Sequence, residues 1–409
     1  MVIQNLQFHK EKNLKKVKGS SIAFKIPEDW RISKLKEVAK VDSGNTAPQK
    51  EEHFIEGKYP FIRMQHLNVL KENKFVKHFD LINEKAVREK KLKLFKKGSI
   101  LLPKSGESIR TEKKAMLEFD SYVVNHLAVV EVEDTEKLDN EYLFYYFRHF
   151  KLSSLIMQTT TPSINLSTIR EIEIPLPPLH EQRKIAHVLT TIDKAIEEVD
   201  KAIKKAERIK KGLMQELLTK GIGHKKFKET EIGKIPKEWE VVKLGDILIL
   251  KNGERPKLSE KGSFFVYGAN GIMGLSNNYI VDSDYTIIIG RVGASGEVHL
   301  GGGKIWVSDN AIYSESYNKS NTYLPFIFYL LKFKNLKSFA IKTTHPIITQ
   351  SFLKSFKIPL PPLEEQKKIA EILSKWDRVI ELKKAKKEKL ERMKKKVMEL
   401  LLTGKVRVK

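Results

Sequence analysis

The chain has 409 residues, 41% of them hydrophobic, with no cysteine and a formal net charge of +25. This length supports two or three domains with proper cores. The composition excludes a disulfide framework and thiolate metal sites, and no apolar run approaches the roughly 18 residues of a bilayer span.

A surplus of this size favours a polyanionic partner, and nucleic acid is the usual one. A membrane surface fits less well, because the basic residues are spread along the chain rather than gathered on one amphipathic segment. The N-terminal MVIQNLQFHKEKN does not read as a signal peptide, so a soluble, cytoplasmic protein is expected.

In chain order, Lys25–Leu35 (KIPEDWRISKL) predicts an Ile-Pro turn, a core-anchoring Trp30 and a short strand. A mixed α/β block spans roughly 25–173. Ser99–Leu102 and Tyr122–Val132 read as strands, and Tyr142–Phe150 as a buried helix. TTTPSINLS, with Thr159, Thr160 and Pro162, reads as a turn closing the block.

Ile174–Leu189 then reads IPLPPLHEQRKIAHVL. Pro175, Pro177 and Pro178 hold the chain extended, and Glu181 suits the positive end of a helix starting just after them. About 40 proline-free residues follow, a helix of about 60 Å. Its apolar seam is Ile185, Leu189, Ile192, Ile196, Val199, Ile203, Ala206, Ile209, Leu213 and Leu217, stepping by four and three.

The second half repeats this plan. Lys234–Leu244 (KIPKEWEVVKL) matches Lys25–Leu35 at six of eleven positions, at an offset of 209. The block 234–357 carries strands at Ile247–Leu250 and Thr286–Ile289, a buried helix at Leu324–Phe333, and glycine turns. KTTHPIITQ aligns Thr343, Thr344 and Pro346 with the first closing turn. Ile358–Leu373 (IPLPPLEEQKKIAEIL) then matches Ile174–Leu189 at twelve of sixteen positions, at an offset of 184.

The second long helix keeps Ile369, Leu373, Trp376, Ile380, Leu390, Met393, Val397 and Leu401, with Lys383 and Lys387 interrupting the seam. Two helices packed on separate cores would satisfy such patterns, but a mutual coiled coil better explains their length. The linker after the first helix resembles the N-terminal segment, so the plan is also cyclic. A pseudo-two-fold molecule is expected, two heads separated by antiparallel helices. The helices account for only +8 of the charge surplus, leaving the heads as the anion-binding surface.

Catalytic motifs are missing. Gly303-Lys304 lacks the first glycine and the hydroxyl of a phosphate-binding loop. Gly290, Gly293 and Gly296 have the wrong spacing for dinucleotide binding and read as a turn. His180-Glu181-Gln182-Arg183-Lys184 starts like a zinc-protease motif but ends in lysine. No methyltransferase tetrapeptide or nuclease carboxylate cluster stands out, so the heads read as binding modules.

The doubled I-P-L-P-P-L-x-E-Q-x-x-I, the two I-P-x-x-W segments and the long helices resemble the specificity subunit of type I DNA restriction–modification systems. The resemblance covers essentially the whole chain. It implies an α+β architecture of two α/β target-recognition domains and two spacer helices in an antiparallel coiled coil. The expected segments are 1–173, 174–221, 222–357 and 358–409, recognition domain and spacer in alternation.

It also implies a non-catalytic subunit whose domains each read half of a split double-stranded DNA site. Leu179–Leu217 and Leu363–Leu401 would form the spacer and partner surface. The implied partners are two methyltransferase subunits, which use S-adenosylmethionine to methylate adenine, and two restriction–translocation subunits. ATP and Mg would sit on those partners, with no cofactor or metal on this chain. Lys383 and Lys387 are the departure from an apolar seam.

Base readout uses Arg, Lys, Asn, Gln, His and similar side chains at groove edges. The candidates are Arg63, Gln65, His66, Lys104, Ser105, Arg110 and Lys113 in the first head. In the second they are Arg255, Tyr267, Asn270, Asn277, Arg291 and Lys304. The heads differ greatly in sequence, so an asymmetric site is expected. A stand-alone architectural DNA-binding protein and a diverged methyltransferase or nuclease are the rival readings.

Overall fold

The computed structural model describes residues 8–10, 14–18, 23–68, 74–156, 162–340 and 347–408. Four helices organise it: α1 (Asn140–His149), α2 (Leu179–Leu217), α3 (Leu324–Phe333) and α4 (Leu363–Leu402). The chain divides into two compact units, Met1–Asp200 with Ala385–Lys409, and Lys201–Lys384. Each unit thus joins one head to part of α2 and part of α4. Segments bounded at 173, 221 and 357 follow the elements instead.

The first head carries two four-stranded sheets. In one, Leu127–Val132 pairs with both Ile100–Pro103 and Ala39–Ser43, antiparallel throughout. In the other, Ser121–Val123 runs parallel to Tyr59–Ile62. The single strand predicted at Tyr122–Val132 is therefore broken. A turn closed by the Leu127 amide on the Val124 carbonyl, at 3.1 Å, sends its two halves to different sheets. Helix α1 buries Tyr142, Leu143, Phe144, Tyr145 and Phe147 completely, as expected of a helix apolar on most of its surface.

The second head is one six-stranded sheet, with Val281–Gly290 between Ala311–Tyr317 and Val298–Val307. The predicted strand at Thr286–Ile289 lies within it. Ile247 is not in a strand: it ends the short helix Leu244–Ile247, whose start is set by the Lys243 amide donating to Asp246 at 3.1 Å. The strand begins at Leu248. Helix α3 has the predicted bounds, and Gly293 and Gly296 adopt positive φ in a turn. Of the two closing turns, Thr159, Thr160, Thr343, Thr344 and Pro346 lie outside the described residues.

The repeated segments meet inside each unit in the same way. Arg31–Lys34 pairs with Glu173–Leu176, and Glu240–Lys243 with Lys357–Leu360. These are two-stranded ribbons, where Pro175 and Pro359 cost no interior ladder bond. Trp30 and Trp239 are buried at the head of each long helix. Trp30 donates from Nε1 to Glu181 at 3.2 Å, and Trp239 to Glu365 at 3.0 Å.

The next residue ties helix to head. Gln182 accepts from the Asp139 amide and donates to the Lys137 and Pro177 carbonyls. Gln366 does the same with Tyr323, Asn321 and Pro361. The Glu-Gln pair is thus a structural latch, which accounts for the residues that mimic a zinc motif.

Cyclic organisation is realised in the first unit, where Phe8–Lys10 pairs antiparallel with Val406–Val408. The preceding turn uses Gly404 at φ 67°, and its counterpart after α2 uses Gly221 at φ 68°. A β-carbon at either position would strike the local tryptophan or its neighbours.

The long helices pack together, antiparallel within each unit. In the first, Asp193 pairs with Lys394 and Asp200 with Lys387. In the second, Glu207 pairs with Lys384 and Asp377 with Lys210. Ile185, Leu189, Ile192 and Ile196 share a core with Met398, Leu401 and Leu402, flanked by Leu390 and Val397. Leu213 and Leu217 share one with Ile369 and Leu373. Val199, Ile203, Ala206 and Ile380 are buried and Trp376 is half-buried.

Two seam positions are corrected. Ile209 and Met393, equivalent by the 184 offset, stand exposed at 37% and 44%. The lysine that follows each, Lys210 or Lys394, turns inward to the facing aspartate. Each aspartate also accepts from a tyrosine of the head, Tyr145 to Asp193 at 2.8 Å and Tyr329 to Asp377 at 2.7 Å. Lys387 fills its place in the seam by reaching Asp200 at 2.6 Å.

Candidate nucleic-acid interface

Each head ends in a close approach of backbone to backbone. Gly44 donates to the Leu127 carbonyl and Asn45 to Val123; Gly253 donates to Ala311 and Glu254 to Val307. A β-carbon on Gly44 or Gly253 would lie 1.9 or 2.2 Å from a carbonyl oxygen, so only glycine fits there.

Beside this approach both heads present a cation on the same frame. The Lys104 amide donates to the His126 carbonyl at 3.1 Å, and its carbonyl accepts from Ile164 at 2.8 Å. The Arg291 amide donates to the Asn310 carbonyl at 2.8 Å, and its carbonyl accepts from Ile348 at 3.1 Å. The following residues form matching bridges, Ser105 with Ser163 and Val292 with Ile347.

The other candidates fall into groups. Arg63 and His66 are turned to internal partners. Arg63 bonds Asp80 at 2.5 Å and the Pro48 carbonyl at 2.9 Å, while His66 is buried and accepts from the Arg63 amide. Burial, partly offset by Asp80, holds the His66 imidazole below its ordinary pKa. Gln65 is exposed beside them.

Ser105 bonds His126 at 2.6 Å, Arg110 is exposed with Glu107 at 3.3 Å, and Lys113 is half-buried. In the second head Arg255, Asn270 and Asn277 are exposed, the last bonding Ser259 at 3.4 Å. Lys304 is exposed with its ammonium 4.9 Å from the centre of the Tyr279 ring. Tyr267 packs half-buried against the small core around Val281 and Ile288, which raises its pKa.

Two residues escaped the sequence reading, His126 and Asn310. Both are exposed turn residues, and the 184 offset that relates them was available in the sequence.

Glu52, His53 and Glu89 form a group of metal-binding residue types among the described residues. Lys85 and Lys50 already hold these carboxylates, and the buried His53 bonds Glu89 at 3.0 Å, so the group is an ion network of exposed carboxylates and lysines over a buried imidazole. An open depression of about 710 Å³ in the second head is lined by Asp282, Ser283, Asp284, Tyr285, Gly303 and Lys319. Its paired aspartates make it a poor phosphate seat. Among the described residues no helix is long and apolar enough to cross a membrane.

Residues 27–208 and 236–392 match the family described as "Type I restriction modification DNA specificity domain". The chain is 33% identical to the type I restriction enzyme MjaVIII specificity subunit of Methanocaldococcus jannaschii, covering 99% of this chain and 98% of that one. It is 25% identical to the EcoprrI specificity subunit of Escherichia coli, over 84% and 86%.

The fold is that of the type I restriction–modification S subunit from M. genitalium, with a TM-score of 0.62 at 18% identity over 91% and 96% of the chains. A chain from a study of complex assembly in the type I R-M system aligns with a TM-score of 0.55 at 16% identity, over 93% and 100%.

Proposed function

The chain belongs to the type I restriction–modification DNA specificity family, and from that premise we propose that it is the non-catalytic recognition subunit of such a complex. Each head reads one half of an asymmetric, split double-stranded DNA site. The paired helices set the separation of the halves and dock two methyltransferase subunits. Two restriction–translocation subunits complete the assembly, in the cytoplasm. S-adenosylmethionine, ATP and Mg belong to those partners, which supply the methyl transfer and the motor chemistry.

One observation carries this reading: the two heads share a backbone frame at their ends but display different side chains on it, Lys104 and His126 against Arg291 and Asn310. Equivalent frames with unlike side chains suit two different half-sites in one duplex. The remaining exposed candidates, Gln65 and Arg110 in the first head and Arg255, Asn270, Asn277 and Lys304 in the second, stand as further contacts.

The test is co-expression with the partner methyltransferase, followed by methylation-sensitive sequencing of host DNA. Adenine methylation at one asymmetric bipartite sequence is expected. Methyl transfer by the isolated chain, or DNA binding with no methyltransferase association, would overturn the reading.

A further inference from the structure

Resting on the DNA-reading role proposed above, we infer that Lys104 and Arg291 are paired phosphate anchors, one per head, and that His126 and Asn310 beside them read bases. The two half-sites lie on one duplex. Their sugar–phosphate backbones are chemically identical, and only the bases differ. A position that carries the same charge in both heads therefore suits phosphate, and one that changes chemistry suits a base edge.

Lys104 and Arg291 meet the first condition. Both are half-buried, and both are held by a main-chain amide and a main-chain carbonyl to equivalent residues. Neither side chain has a hydrogen bond or ion pair to another described residue. The backbone of each residue is thus fixed in place, and its side-chain charge is left unneutralised by those residues. A frame built twice around an uncompensated cation is a seat for an anion.

His126 and Asn310 meet the second condition. Each supplies the carbonyl that accepts from the anchoring residue, so its side chain starts next to the cation. In the first head Ser105 bonds His126 Nδ1 at 2.6 Å, which orients the ring and leaves Nε2 for an external partner. In the second head the Asn310 main-chain amide donates to the Ser308 hydroxyl at 3.2 Å, while its side-chain carboxamide has no hydrogen-bond partner among the described residues and can pair in bidentate fashion with adenine. Imidazole and carboxamide present different donor and acceptor patterns, as unlike half-sites require.

The experiment uses the full chain assembled with its methyltransferase, titrated with duplexes carrying the mapped site and with duplexes altered in one half. Lys104→Ala and Arg291→Ala should each weaken binding by a similar factor on every duplex and flatten the log–log salt slope by about 1. Lys104→Arg and Arg291→Lys should restore both. His126→Ala and Asn310→Asp should leave the salt slope intact and each relax discrimination in one half only, by roughly 5- to 150-fold.

A specificity change confined to one half for either cation variant would overturn the anchor assignment. Unchanged discrimination in both turn variants would overturn the reader assignment. If the unaltered complex itself showed no site preference, the proposed function would fail instead, which keeps the two failures apart.

Discussion

Arg407 and Glu181, 226 residues apart, form a buried two-point pair, with Nε donating to Oε1 and Nη2 to Oε2, both at 2.7 Å. Trp30 and Asp29 complete the cluster. In the second unit His224, Glu365, Trp239 and Glu238 hold the equivalent places. Each cluster joins the entry strand of a head, the start of one long helix and the segment that leaves the other. Arg407→Ala would strand Glu181, only 2% exposed, without its guanidinium. A loss of about 3–5 kcal/mol is expected, read by thermal denaturation. His224→Ala, at a more accessible cluster, should cost less; equal losses would contradict the argument from burial.

The paired lysines make a second graded comparison. Lys394 is 5% exposed against Asp193, while Lys210 is 18% exposed against Asp377. Lys394→Met leaves the Asp193 carboxylate, 15% exposed, with only Tyr145 and the Arg148 guanidinium 3.9 Å away, and should lose about 3 kcal/mol. Lys210→Met should lose less, because water reaches Asp377 more easily. Urea midpoints of the two variants check the order.

Glu171 gives a pH test. Hydrogen bonds and charge from Lys34, then from Lys36, lower its carboxyl from 4.5 to about 2. Its folded pKa lies below its unfolded one, so its pairing stabilises the fold above about 4.5 and is lost as pH falls through about 2. The stability gap between the wild type and Glu171→Gln should therefore be constant near neutrality and close over that window. Both partners are exposed, so salt should shrink the gap as well. A gap that persists at low pH would show that the substitution acts through packing.

These particulars show which features local sequence carries. Proline, helical period and buried aromatics announced α1, α2, α3, α4 and both tryptophan anchors, because each rests on neighbours within a few residues. Glu181 and Gln182 were visible as a repeated pair, but their partners are distant in sequence and no periodicity marks them. The seam erred at Ile209 and Met393 for a related reason: a lysine that buries its stem and meets an aspartate looks polar in any apolar pattern. At the interface, Lys104 and Arg291 were singled out by residue type alone. Their equivalence needed the fold, because the offset between them is 187 rather than 184.

DNA affinity should fall steeply with ionic strength. With a surplus of +25 and few cationic candidates fully neutralised, roughly six phosphate contacts would cost about a thousandfold between 50 and 200 mM salt. Fluorescence anisotropy across that range checks it. A flat binding curve would leave base contacts alone to explain recognition.

The paired helices should act as a ruler between the two half-sites. Asp193–Lys394 and Asp200–Lys387 belong to the first unit, and Glu207–Lys384 and Lys210–Asp377 to the second. Insertions after Ile203 in α2 and after Lys386 in α4 therefore leave all four pairs intact. One heptad in each adds about 10 Å, close to three base pairs at about 3.4 Å each. Three base pairs also turn the duplex by nearly a third of a turn, so the second head must be re-phased. The matched double insertion should lengthen the unread gap by a whole number of base pairs and leave both half-sites unchanged. A heptad in α2 alone should abolish methylation, because it moves Glu207 and Lys210 out of register with Lys384 and Asp377. Sequencing methylated host DNA reads every outcome. If the gap stayed fixed while the bases read changed, the helices would be supports for the heads rather than their ruler.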